Sequence, residues 1–377
     1  MREPSAIVIG AGIVGLATAR ALALNGFQVD VFERSGKAGG ASIRNFGMIW
    51  PVGQPQGELY DRAIRTRNIW KALAPEAGIW SDPVGSLHTA YHPAEWIVLQ
   101  EAYEIFTREG RAVEWLDADA VQQKSPIALA KGCKGGLFSR EELLVDPREA
   151  LAKLPAYLQV KWNIRFHWGQ AVTEVHKQTI RAGGRKFSAD LVFICSGSDF
   201  ESLYPEQFSR YPVTKCKLQM MRFLPENANE RVGPAVCGGL SLIHYAGFRA
   251  APSWELLRQW FLQTRPEYIR HGIHVMISQN GLGELTIGDS HEYGLCPDPF
   301  DKQEINELIL EYLKTFISLK NARQTESWNG VYAKHTQGQT DLFESPEEGV
   351  FILTATGGAG MTFAFGLAEE RLASVLS

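Results

Sequence analysis

The pattern of apolar and polar positions is most sharply organised over residues 6–34. Four consecutive apolar residues, Ala6 to Ile9, predict a buried strand. The run Gly10-Ala11-Gly12-Ile13-Val14-Gly15 predicts its turn, and residues 16–24 predict a helix with small side chains toward a sheet. Asn25-Gly26 ends that helix, and residues 28–32 predict a second strand running into Glu33, eighteen residues beyond Gly15. Residues 35–55 are glycine-rich and too irregular for a helix, so they predict a long loop. A helical period over 60–77 closes at Gly78, with Arg62, Arg65 and Arg67 on a solvated face. Strand, helix (93–109) and strand follow over 86–116, and Asp117 caps a short helix at 117–123. Residues 135–138 predict a strand. After Val145-Asp146-Pro147 a helix leads to strands at 160–167, 171–176 and 187–195, the last ending in Ser196-Gly197-Ser198. From 212 to 320 alternation takes over: strands at 217–223, 240–245, 274–279 and 284–288 and a helix at 302–317 argue an antiparallel sheet with one face over a cavity. A last buried strand, 349–356, runs into Gly357-Gly358-Ala359-Gly360-Met361-Thr362 and a C-terminal helix.

The chain of 377 residues is too long for one small core and predicts two interleaved domains. The expected fold class is α/β: a Rossmann-type domain of residues 1–84, 140–211 and 322–377, and an α+β substrate domain of residues 85–139 and 212–321 on a mainly antiparallel sheet. The 38 basic and 42 acidic residues form no long run of either sign, which leaves nucleic acid and membrane surfaces without an electrostatic footprint. Five scattered cysteines without a CxxC suggest neither a disulfide framework nor a zinc site, and a reducing cytoplasm is the expected location. With the Gly-rich turn so near the start, no signal peptide is expected. No apolar run approaches the length of a membrane span.

Strand, turn, helix, second strand and terminal acid together form a dinucleotide fingerprint. Gly10 permits the tight turn, Gly12 lets the backbone approach a pyrophosphate, and Gly15 lets helix and strand pack closely. Ile13 and Val14 present N–H groups at the helix N-terminus. Glu33, with Arg34 beside it, is placed to accept hydrogen bonds from an adenosine ribose, and its charge opposes a 2′-phosphate, which favours FAD or NAD over NADP. In the following loop Gly39, Gly40, Ala41 and Ser42 reach the pyrophosphate, while Asn45, Gly47 and Met48 lie along a flavin ring. Met48 and Ile49 also read as core. Val172 is placed to hold an adenine edge, and Ser196 and Gly197 form a turn at the carboxyl edge of the sheet, where open α/β sheets place ligands. The second Gly-rich strand-to-helix turn decides between the cofactors. A helix N-terminus at Gly358, Ala359, Gly360, Met361 and Thr362 stabilises a reduced, anionic flavin, whereas a plain NAD dehydrogenase has no use for it. His244, His271, His274 and His291 lack metal-ligand spacing and read as structural, so no metal is expected.

The fingerprint, the GGAS and NFGM loop, Val-Asp-Pro, Ile-Cys-Ser-Gly and the terminal TGGAGMT together resemble the glycine oxidase, sarcosine oxidase and D-amino-acid oxidase family of FAD enzymes. That resemblance implies hydride transfer from the carbon next to an amine to flavin N5, followed by hydrolysis of an imine. Trp328-Asn329-Gly330-Val331-Tyr332-Ala333 is similar to the family's Trp-x-Gly-x-Arg-Pro, but Tyr332 and Ala333 stand where Arg and Pro would be. The arginine that clamps a substrate carboxylate is therefore missing. Gly330 falls near the family's flavin-tethering cysteine, so FAD is expected to be non-covalent. Thr286 stands at the place of an oxygen-activating lysine, which leaves O2 or another electron acceptor open. The runs RNFGMIWPVGQ, IGDSHEYG, WNGVY and GGAGMTFAFGLAEE look most like a bacterial branch associated with aminophosphonate breakdown. The implied substrate is 2-aminoethylphosphonate or an N-methyl or hydroxy derivative; glycine, sarcosine or another small amino acid is the alternative, and an NAD-dependent dehydrogenase a further one. Candidate substrate residues are Asn45, Met48, His244, Tyr245, His291, Trp328, Tyr332 and Lys334, with Arg44, Gln54 and His335. For Arg44 and Lys334 a solvated surface position stands equally open.

Overall fold

A computed structural model describes residues 3–227, 230–319 and 321–377. Its first strand, Ser5–Ile9, is the inner strand of a six-stranded sheet. Gln28–Glu33 and Leu191–Ile194 flank it in parallel, Arg165–Trp168 and Val350–Thr354 extend the two sides in parallel, and Leu342–Glu347 closes one edge antiparallel. Parallel strands covered on both faces must be apolar along their whole length, and Ala6 to Ile9 are all buried. The helices Ile13–Leu24, Pro147–Trp162 and Gly360–Leu376 pack on this sheet around Leu16, Leu151, Phe365 and Leu367.

The second large sheet has nine strands, antiparallel in all pairings except that of Ala235–Cys237 with Ser86–Ala90. Its longest strands, Val213–Leu224 and Arg323–His335, pair with each other. Residues 323–335 therefore belong to this sheet, not to the cofactor-side segment 322–377 expected from the sequence. Helices Pro93–Arg108, Trp254–Thr264 and Gln303–Leu313 complete its core around Phe106, Phe248, Phe261 and Ile309.

Four local expectations change. Residues 240–245 form a short helix, Leu240–His244, rather than a strand. Five residues of alternation fit either, and here the Leu240 N–H is taken by the Tyr312 hydroxyl (2.9 Å) after the Gly238-Gly239 turn. Val160 lies exposed in the helix Pro147–Trp162, which ends at Asn163 in the left-handed region (φ 54°), so the strand starts only at Arg165. Residues 187–195 divide between Arg185–Ser188 in a small antiparallel sheet and Leu191–Ile194 in the parallel one. Arg62 is buried rather than solvated: it pairs with Glu370 (2.6 Å) and Asp341 (3.5 Å), tying the helix Glu58–Glu76 to the C-terminal helix. Among the described residues no helix is long and apolar enough to cross a membrane.

Candidate active site

A cavity of about 740 Å³ runs from the first Gly-rich turn to the large sheet. At one end Gly10 adopts φ +105°, and a Cβ there would stand 2.4 Å from the Cys195 carbonyl oxygen. A Cβ on Gly15 would stand 1.9 Å from the Gly10 carbonyl oxygen, so turn and helix approach at a distance only glycine allows. The turn is held from both sides: the Ala11 N–H donates to Glu33 Oε2 (2.9 Å) and the Ile13 N–H to Ser42 Oγ (3.0 Å). Glycine at position 12 leaves the helix Ile13–Leu24 without a side-chain N-cap. The helix Gly360–Leu376 begins at the same cavity, also without one. Two uncapped helix N-termini over one cavity, one of them beside Glu33, fit a dinucleotide whose phosphates and ring carbonyls accept hydrogen bonds.

Of the residues expected to touch the cofactor, Gly10, Gly12, Ile13, Val14, Glu33, Arg34, Gly40, Ala41, Ser42, Asn45, Met48, Val172, Ser196, Gly197, Gly358, Ala359, Gly360, Met361 and Thr362 line the cavity. Gly15 and Gly47 do not. Gly15 acts through packing, and Gly47 (φ +71°) lets the loop pass Val145, whose carbonyl oxygen a Cβ would meet at 1.9 Å. The loop 35–55 is also more regular than expected, since Met48–Ile49 pairs with Leu143–Val145, and Ile49 is core. Thr362 Oγ1 accepts from the Trp50 N–H (3.0 Å). Arg34 is exposed and paired with Asp199 (2.6 Å).

The other end is built from the large sheet. His244, Tyr245, His291, Tyr332, Lys334, Arg44, Gln54 and His335 all line it. Trp328 does not: it lies against the Arg222 guanidinium, 4.9 Å from its ring centre. Thr286 is likewise absent from the wall. Burial drives the His291 imidazole down to about 4 despite Asp289 beside it, and it holds His244 well below its ordinary value, so both rings are neutral near pH 7. Burial likewise lowers the Lys334 ammonium, whose Nζ donates to Tyr293 Oη (2.9 Å). It drives the Tyr332 hydroxyl well above its usual range, keeping it a proton donor.

Sequence reasoning missed His274 and Asp289 as wall residues. The ligand-capable atoms of His244, His274 and His291 lie within 4.8 Å of one another. Their spacings of 30 and 17 residues match no metal motif, because a helix end, a strand approach and a loop bring them together. The repeated histidines of an alternating region were the only signal available.

Comparison with known proteins agrees with this architecture. Residues 5–372 match the family described as "DAO: FAD dependent oxidoreductase". Glycine oxidase from Geobacillus kaustophilus superposes with a TM-score of 0.79 at 18% identity over 98% of this chain and 94% of that one. L-proline dehydrogenase from P. horikoshii gives 0.79 at 19% over 99% and 93%. At such identities these likenesses concern the fold. The tRNA 5-methylaminomethyl-2-thiouridine biosynthesis bifunctional protein MnmC of Saccharophagus degradans is 26% identical over 266 residues, 64% of this chain and 36% of that protein. The chain spans between about a quarter and a half of the length of the first curated relatives it matches. The match over nearly the whole chain, on a fold that sets two Gly-rich helix starts over one cavity, places the protein in the DAO family of FAD-dependent oxidoreductases.

Proposed function

We propose that the protein oxidises a small amine bearing an anionic group, and that the anion is a phosphonate, as in 2-aminoethylphosphonate or its N-methyl derivative. The amine class draws support from the neighbours, whose names concern glycine, proline and a methylaminomethyl group. One observation carries the phosphonate: Tyr332 and Lys334, two positions apart on one strand, line the cavity together, at the place where the resemblance leads one to expect a single arginine. A tetrahedral dianion offers three acceptor oxygens, which dispersed donors satisfy better than one planar fork.

In this reading the residues around Gly10, Gly12, Glu33 and Ser42 hold the dinucleotide part of FAD, and the helix start at Gly358 to Thr362 faces its ring. Gly330 lines the cavity and has no side chain through which to tether it. When bound, FAD supplies two-electron acceptance, so the carbon beside the nitrogen becomes an imine that water converts to a carbonyl and a free amine. Lys334 and Tyr332 bind the anion and fix which carbon is presented. A bound dianion also pulls the Lys334 ammonium back toward its ordinary value, against the lowering by burial. An amine that binds neutral needs no side-chain base before its carbon is oxidised.

The test is anaerobic bleaching of the flavin band by N-methyl-2-aminoethylphosphonate, 2-aminoethylphosphonate, sarcosine and glycine, side by side. Rapid bleaching by a phosphonate alone is expected. Bleaching by sarcosine or glycine with inert phosphonates overturns the substrate and would point to Arg44, which lines the same cavity, as the carboxylate partner.

A further inference from the structure

His244, His274 and His291 arrive from the end of the helix Leu240–His244, the approach to Met276–Gln279 and the loop after Leu285–Gly288. Centroid to centroid, the His244 ring lies 3.7 Å from His274 and 4.9 Å from His291. The surrounding contacts decide which nitrogen two of the rings offer. A carbonyl oxygen only accepts, so the 2.8 Å contact with Gly272 O places the proton on His291 Nδ1 and leaves Nε2 bare in the neutral ring. His274 Nε2 lies 3.0 Å from Asp289 Oδ1, at ion-pair distance but out of hydrogen-bond geometry; the carboxylate favours the proton on Nε2, and Nδ1 then keeps its lone pair. His274 is only 3% exposed, and its Nδ1 has no protein partner among the described residues.

Histidines that ligate a metal hold their outer N–H on a carboxylate or a backbone carbonyl, and they bind in the neutral form. His291 meets the first condition through the Gly272 carbonyl, and His274 stands beside the Asp289 carboxylate. Asp289, 5% exposed, stands between the two rings, 3.0 Å from His274 Nε2 and 4.0 Å from His291 Nε2. A metal ion held on these rings would put positive charge within reach of that buried carboxylate. We propose that His244, His274 and His291 bind one divalent transition-metal cation of the zinc class, with Asp289 and the Gly272 carbonyl orienting two of the ligands and one coordination position open to the cavity. Tetrahedral bonds of about 2.0–2.1 Å set nitrogens roughly 3.4 Å apart, inside the 4.8 Å that bounds the ligand atoms here, so binding turns the His244 and His274 rings until their bare nitrogens face one point. The site rests on these residues alone and not on the identity of the substrate.

The holoenzyme, stripped of metal by a chelator with FAD retained, is titrated with Zn2+ by calorimetry and with Co2+ by visible spectroscopy on the long-wavelength side of the flavin band. One equivalent of zinc per chain and an intense four-coordinate cobalt spectrum are expected. His274→Ala and His291→Ala each weaken zinc binding at least roughly 100-fold, and Asp289→Asn weakens it roughly 10- to 100-fold. His271→Ala, outside the cavity wall, leaves it unchanged. Retained flavin absorbance shows that each variant is folded; if the alanine variants lose FAD, the cobalt spectrum of the unaltered protein decides. Absence of saturable zinc binding, an octahedral aqua-like cobalt spectrum, or wild-type affinity in both folded histidine variants overturns the site, and each leaves amine oxidation to be judged by flavin bleaching.

Discussion

Adding one methyl group at Gly15 tests whether the first turn is built as described. The Cβ of alanine would stand 1.9 Å from the Gly10 carbonyl oxygen and 3.0 Å from its carbon, both backbone atoms that cannot rotate away. Ordinary contact begins at about 3.4 Å, so helix and turn must separate by roughly 1.5 Å, at the upper end of the ~1–3 kcal/mol that overpacking costs. The same displacement pulls apart the Ala11–Glu33 and Ile13–Ser42 hydrogen bonds of 2.9 and 3.0 Å. Each contributes about 1 kcal/mol, and the one to the carboxylate more. Gly15→Ala is thus expected to lose about 3–5 kcal/mol of holoprotein stability and to weaken FAD at least roughly 100-fold, because the misplaced turn is the one that faces the phosphates. The assay is flavin content after purification, with thermal melts at increasing added FAD. Gly26→Ala is the control: its φ is +82°, but nothing stands within 4 Å of the new Cβ, so it carries only the backbone penalty of about 1 kcal/mol and keeps FAD. A Gly15→Ala protein with full flavin and an unshifted melt would refute the close approach.

Glu142, 1% exposed, accepts from the Val52 N–H and Ser86 Oγ, yet burial and neighbouring Glu141 raise its carboxyl from the ordinary 4.5 up to about 7. The folded state holds this proton more tightly than the unfolded state, so stability falls as pH rises from about 4.5 to 7, by ~3 kcal/mol in total, and is flat above. Urea titrations across this window should show Glu142→Gln free of that slope, and equal slopes in both proteins would contradict it. Arg62→Leu removes the cation shared by Asp341 and Glu370, while Arg371 still pairs with Asp341 (2.6 Å). The expected loss is about 3 kcal/mol, at the low end for a broken buried pair, and a denaturation midpoint equal to wild type would show the pair to be idle. Lys334→Ala should raise KM for a phosphonate amine roughly 10-fold or more with little change in kcat, as removal of uniform binding does. An unchanged KM would take Lys334 out of the site.

How much of this was legible in the sequence follows from how far apart the cooperating residues stand. The first turn could be read because Gly10, Gly12, Gly15 and Glu33 perform their roles within one strand-turn-helix-strand unit, where spacing alone fixes geometry. The closing turn at Gly358 to Thr362 was readable for the same reason. Local pattern failed where tertiary contact chose the outcome: Leu240–His244 became a helix when the Tyr312 hydroxyl took its first N–H, and Arg62 was drawn inward by carboxylates some 280 and 310 residues further along. Gly47 was misassigned because a glycine beside a ligand and a glycine beside a crossing strand leave the same letter in the chain.

The histidines mark the sharper boundary. A metal motif within one helix or hairpin has a period, but His244, His274 and His291 belong to a helix end, a strand approach and a loop that meet only through the antiparallel register of Met276–Gln279 with Leu285–Gly288. That register pairs Met276 with Gly288 and, carried on unbroken, would set Val275 opposite Asp289; instead the pairing slips by one residue, so that Asp289 N–H donates to the His274 carbonyl (2.8 Å) and the two side chains meet at 3.0 Å. A one-residue slip beyond the regular pairing thus creates the carboxylate–imidazole contact. Chemistry set by such a slip is invisible to spacing, because the same letters in unbroken register would set Val275, not His274, opposite Asp289.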